Sequence, residues 1–139
     1  MNDEQKKRIA ELEKRIAEKQ AAARAKTADE LEEHNLGYLE ALDKALDEHG
    51  DRLVTVDIAH VGKCLFRFPG RPDHAAFVRD VAKEITLGAC VTYTTKCVLY
   101  PAPVAFKDKL DALNVEGFVQ AANAIRSAMR PEDEEEGKG

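Results

Sequence analysis

Tryptophan is absent from this 139-residue chain, and five Phe and three Tyr are its whole aromatic complement. So few rings mean a small core assembled mainly from Leu, Val, Ile and Ala. No stretch approaches the roughly 18 consecutive apolar residues of a membrane-spanning helix, so no membrane partner is expected. The N-terminus is charged from Asp3 onward and carries no apolar segment of the kind that opens a secretory signal. Cysteine is scarce too. Cys64, Cys90 and Cys97 are an odd set that closes no disulfide framework, which fits a reducing, cytoplasmic setting.

The patterns of chemistry are missing as well. No G-x-x-x-x-G-K-[ST] or G-x-G-x-x-G loop offers a phosphate cradle, so no nucleotide cofactor is expected. The cysteines, with His60 and His74, lack the C-x₂₋₄-C and H-x₃₋₅-H spacings of structural zinc, so no metal is expected. His60 and Cys64 could pair as base and nucleophile, but no third group is placed to orient them. Asp43 and Asp47, like Asp108 and Asp111, sit at helical spacing and read as solvated faces rather than acid–base pairs. The chain therefore reads as a non-enzyme.

What the chain has is charge in blocks. Residues 1–26 carry eight bases against five acids, and residues 27–50 one Lys against eight acids. Residues 51–130 carry eleven bases and eight acids, and residues 131–139 one base and five acids. No concentrated basic face emerges, which argues against a nucleic-acid partner. The four blocks also mark the organisation expected: a helical arm over 1–26, an acidic capped helix over 27–50, a globular α+β domain over 51–130 and a disordered acidic tail over 131–139.

The arm is rich in good helix formers, with no Gly or Pro from Asp3 to Lys26. Ile9, Leu12 and Ile16 fall at a and d positions of a heptad, but Lys19 and Ala23 follow, so the seam fades after about two heptads. Pairs such as Glu11–Arg15 suit a solvated helix. Two readings stand: a protruding exposed helix, or a weak seam over residues 9–23 for self-association or partner docking. Thr27-Ala28-Asp29-Glu30 matches a capping box, so a new helix is expected there, with Leu39, Leu42 and Leu46 as its apolar stripe. Gly50 is placed to end it, and Asn35 and Gly37 to split or bend it.

Leu53–Ile58 and Lys63–Phe68 are dense in β-branched and aromatic residues around Gly62, the grammar of an antiparallel hairpin. Alternation puts Cys64, Phe66 and Phe68 on one face and Leu65 and Arg67 on the other, and Phe66 is expected to be buried. Pro72 opens a helix whose apolar face, Ala76, Phe77, Val81 and Ile85, runs to Gly88. Residues 89–100 fit strand or helix equally, with Cys90 and Cys97 two helical turns apart on one buried face if helical. Phe106, Leu110 and Leu113 mark one later helix, and Phe118, Val119, Ala122, Ile125 and Met129 another. The fold expected is a hairpin packed against several short helices that cover one face, preceded by a long helical region.

The stretch Phe66-Arg67-Phe68-Pro69 followed by Arg71-Pro72, then Cys97-Val98-Leu99-Tyr100-Pro101 and Leu110-Asp111-Ala112-Leu113, resembles a family of small phage tail assembly chaperones. Position 74, where that family often has Glu followed by Tyr, is His74 followed by Ala75. The resemblance spans residues 53–129. It implies a protein-binding factor that chaperones a long helical tape-measure-like or tail-tube protein during virion assembly in the host cytoplasm. The alternative is a structural or adaptor protein of a phage-like particle, docking through its N-terminal helix. The segment richest in large apolar residues, Phe106, Leu110, Leu113 and Phe118, has two readings: the expected partner-binding groove, or side chains that simply close the core.

Overall fold

A computed structural model describes residues 1–130, and the tail expected over 131–139 lies outside them. The fold is α+β. Two compact units divide the chain, Met1–Glu33 and the remainder from His34.

The first helix, α1, runs unbroken over Asp3–His49, so the expected joint at Thr27 is not there. Its N-cap is Asn2. The Asn2 Oδ1 accepts from the Gln5 N–H at 2.8 Å, and the Gln5 Oε1 accepts from the Asn2 N–H at 3.1 Å. That reciprocal pair is the capping box of this helix. Thr27 instead donates its hydroxyl to the Ala23 carbonyl at 3.0 Å. A Thr surrounded by good helix formers has no non-helical chain before it to cap, and back-bonding by one turn satisfies its hydroxyl. Asn35 and Gly37 do not end the helix either. Gly50 does, at φ +62°, with its N–H on the Leu46 carbonyl.

The hairpin forms as the residues dictate. Strand β1 (Leu53–Ile58) pairs antiparallel with β2 (Gly62–Arg67), Leu53 opposite Arg67 and Ile58 opposite Gly62. The loop between them places His60 at φ +68°, a left-handed position that His tolerates better than bulky β-branched residues do. A third strand, β3 (Val98–Tyr100), joins the far edge of β2, with Leu65 opposite Tyr100 and Phe66 opposite Val98 across a bulge.

Helix α2 covers Arg71–Asp80, shorter than the stretch to Gly88 expected for it, and leaves Ile85 exposed. Residues 89–100 resolve into both alternatives: α3 (Leu87–Cys97) runs directly into β3. Thr86 caps α3, accepting from the Ala89 N–H at 3.2 Å. Thr94 and Thr95 donate back to the Cys90 and Val91 carbonyls, which lets a β-branched run stay helical. Cys90 and Cys97 both lie on its buried face. Helices α4 (Pro103–Leu113) and α5 (Gly117–Ala128) complete the described residues.

Alternation on β2 sorts two clusters. Val56, Ile58, Cys64 and Phe66 face α2, α3, α4 and α5 in the main core, with Phe66 fully buried. Leu65 points the other way, against Tyr38 and Ala45 of α1, with Ala41, Leu42, Leu53, Leu99 and Tyr100 around it. Helices therefore cover both faces of the sheet, where one covered face was expected. The reason is Leu65: a fully buried leucine on the second face requires its own layer.

Candidate functional site

The expected partner groove is a core. Phe106, Leu110 and Phe118 are completely buried, and of the four residues only Leu113 is exposed, at 53%. The Phe106 ring meets Phe66 and Phe118 edge to face, each with centroids 5.5 Å apart. That aromatic cluster knits α4 and α5 to β2. Phe106, Leu110 and Phe118 are thus spent in closing the domain, while Val104 and Leu113 of α4 stay exposed.

Exposed apolar residues recur along α1, beside scattered ones elsewhere such as Ile85, Val104 and Leu113. From His34 onward this helix buries His34, Tyr38 and Ala45, while Leu36, Leu39 and Leu46 stand 59%, 57% and 50% exposed. Of the stripe expected to pack, Leu39 and Leu46 are thus turned to solvent, while Leu42 packs half-buried beside Leu65. Local chemistry explains the rotation. The Tyr38 hydroxyl bonds the Thr55 Oγ1 at 2.7 Å, and small Ala45 lets the helix lie close over Leu65. Glu40, Asp43 and Asp47 are exposed on the same turns. The result is a solvent-facing leucine surface with an acidic margin.

A polar knot fixes this helix to the sheet. His34 Nε2 lies 2.8 Å from the Lys63 carbonyl, and its Nδ1 lies 3.1 Å from the Lys109 Nζ. A carbonyl can only accept, so Nε2 carries the proton and Nδ1 accepts from the ammonium. The Tyr100 hydroxyl donates to the His34 carbonyl at 2.8 Å, and its ring packs on the imidazole. Burial, aided by Lys109, holds the His34 pKa below its ordinary 6.5, against the opposing pull of the Lys63 carbonyl and Asp57. A base whose folded pKa is depressed contributes stability that is complete above the unfolded value. It is lost as pH falls below about 6.5, because the unfolded chain then binds the proton first. Lowering pH from 7.5 to 5 should therefore reduce the thermal midpoint more in the parent than in His34→Asn. Equal pH dependence in the two would remove His34 from this role.

The thiols are core rather than chemistry. Burial pushes Cys64 up to about 12 and Cys97 up to about 11, well away from the thiolate a nucleophile or metal ligand needs. Among the described residues no three His, Cys, Asp or Glu side chains gather as a metal site would require. His74 Nδ1 bonds the Tyr93 hydroxyl at 2.7 Å beside the Phe77–Tyr93 stack, and Lys96 pairs with Asp73 at 3.3 Å. These tie α2 to α3. Comparison of the chain with protein-family models, curated proteins and solved structures finds no match.

Sequence reasoning missed the outward turn of Leu39 and Leu46 because a leucine at helical spacing looks the same whether it faces a core or solvent. The available signal was the competing stripe of His34, Tyr38, Ala41 and Ala45. Small and amphipathic residues at helical spacing suit close packing on a sheet.

Proposed function

We propose that this chain is a non-enzymatic protein-binding factor of phage tail assembly that chaperones a long helical, tape-measure-like partner. The observation that carries the reading is the orientation of α1, which buries a His and an Ala while holding Leu36, Leu39 and Leu46 in solvent. A leucine stripe on a rigid helix is the complement that another amphipathic helix needs in order to bury its own apolar face. Residues 27–50, with eight acids and one Lys, favour a partner whose margin is basic, so the association should weaken as salt rises. Two of the three segments behind the family resemblance also support it: Phe66 and Val98 pair across neighbouring strands, and Arg67 donates to the Lys96 carbonyl at 2.8 Å. Those motifs thus belong to one structural unit.

If a long helical polypeptide is encoded beside this chain, co-expression with it tests the reading. The parent should copurify with it. Leu39→Gln and Leu46→Gln should stay folded by circular dichroism and each lose about tenfold in affinity, roughly 1.4 kcal/mol. Undiminished binding by the double variant would move the contact off this face. A structural or adaptor role is the second reading, favoured by the exposed Ile9, Leu12 and Ile16 of the first unit. Stoichiometric amounts of the protein in purified particles would decide for it.

A further inference from the structure

From the exposed seam of the first unit we infer that this chain pairs with a second copy of itself, arm to arm, as a short parallel two-stranded coiled coil centred on residues 8–16. The inference does not rest on the chaperone reading. All of residues 1–33 are exposed, and Ile9, Leu12 and Ile16 are large apolar side chains among them. With Ile9 and Ile16 at a and Leu12 at d, the seam has the β-branched-a, leucine-d composition that favours two parallel strands. The flanking positions choose the same arrangement. Arg8 and Arg15 occupy g, and Glu13 and Gln20 occupy e.

In a parallel pair each g residue faces the e residue five positions on in the partner copy. Arg8 then meets the second copy's Glu13 and Arg15 meets its Gln20, and symmetry makes each contact twice. In an antiparallel pair g faces g and e faces e, which sets Arg against Arg and Glu13 against Glu13. The g–e pairs therefore favour the parallel form, which ends where Lys19 would meet the second copy's Lys19. Among the described residues, Arg8, Glu13 and Arg15 form no ion pair within the chain, and the expected Glu11–Arg15 pair is not made. Their charges are free for the second copy. Lys19 and Lys26, at the next two d positions, confine the seam to about two heptads. So short a coiled coil is weak, and the association belongs in the range of tens to hundreds of micromolar, on the order of 10⁻⁵–10⁻⁴ M.

Sedimentation equilibrium of the full chain, from about 10 µM to about 1 mM protein, reads this directly. A reversible monomer–dimer equilibrium is expected, and Ile9→Asp with Ile16→Asp should abolish it while leaving the folded signal of the second unit intact. Arg8→Glu should weaken it about threefold or more, and adding Glu13→Arg should restore it. Direction is read by crosslinking. The three native cysteines are buried, so a single Lys19→Cys reports on the arm alone. At a d position it should form an intermolecular disulfide much faster than Lys14→Cys, which lies on the outer f position. In the antiparallel register residue 19 faces residue 9, leaving the two copies of position 19 about 15 Å apart. A monomer at every concentration overturns the inference. So does self-association that survives the Ile9/Ile16 double variant, or crosslinking at position 19 no faster than at 14. A monomeric arm that instead carries the protein onto assembled particles would assign the seam to particle docking.

Discussion

Phe106→Ala is expected to cost about 3–5 kcal/mol, while Leu113→Ala on the same helix should change stability by less than about 0.5 kcal/mol. The two residues differ by two turns of α4 and share one apolar stripe on paper. Their surroundings divide them. Phe106 is fully buried between the rings of Phe66 and Phe118, at interplanar angles of 84° and 88°. Truncation empties a ring-sized volume and removes two edge-to-face contacts, each worth roughly 0.5–1.5 kcal/mol beyond its area. A core walled by a sheet and four helices has little freedom to collapse into that space. Leu113 sits at the last helical position, more than half exposed, and gives up little contact. Chemical denaturation followed by circular dichroism separates them, read as midpoint shifts at unchanged slope. A Phe106→Ala variant within 1 kcal/mol of the parent would return that side chain to the surface. A Leu113→Ala loss above 2 kcal/mol would place it in the core.

That contrast also marks how far the residues alone could lead. The hairpin was legible because Val54, Val56, Ile58 and Phe66 are strong strand formers set at period two. The burial of Cys64 and Phe66 on one face followed from alternation alone. Cys90 and Cys97 sharing a face was legible from their spacing, although whether the run between them was helix or strand was not. Its threonines satisfy their hydroxyls within the helix, an outcome that period counting does not detect. The strand of Val98–Tyr100 is three residues long and exists because β2 offers a free edge, so it could only appear with its partner in place. The candidate site was the least legible part. Phe106, Leu110, Phe118 and Leu39 carry the same local signature, large apolar side chains at helical spacing. The first three pack with Phe66 in the main core, while Leu39 turns outward because Leu65 draws Tyr38 and Ala45 of α1 onto the second sheet face. Both are contacts between residues distant in the chain. The Thr27 box failed for a related reason. A capping motif acts where the chain before it leaves the helix, and here the preceding residues, Ala21–Lys26, are strong helix formers.

Gly37→Ala should destabilise the second unit, reversing the gain of up to about 1 kcal/mol that replacing an interior helix glycine with alanine ordinarily brings. Gly37 lies within α1, where nothing about the backbone demands glycine, and its use is a matter of space. An ideal Cβ at this position would press on the Tyr100 hydroxyl and fall 2.8 Å from Cζ and 2.9 Å from Cε1 of the same ring. Those atoms belong to a flat, stiff side chain with little room to yield. Its hydroxyl also donates to the His34 carbonyl, so a displaced ring loses that bond and its packing on the imidazole. Overpacking of this kind costs about 1–3 kcal/mol, which exceeds the propensity gain over most of that range. Gly88→Ala supplies the comparison. Position 88 is also helical, is exposed and has nothing within 4 Å of an added Cβ, so it should gain a few tenths to about 1 kcal/mol. Thermal unfolding of the two variants beside the parent reads opposite signs. Tyr100→Phe in the Gly37→Ala background then isolates the clash, since removing the hydroxyl atom nearest the new methyl should recover part of the loss. If Gly37→Ala raises the midpoint as Gly88→Ala does, Tyr100 is not seated against α1, and the knot at His34 does not fasten helix to sheet.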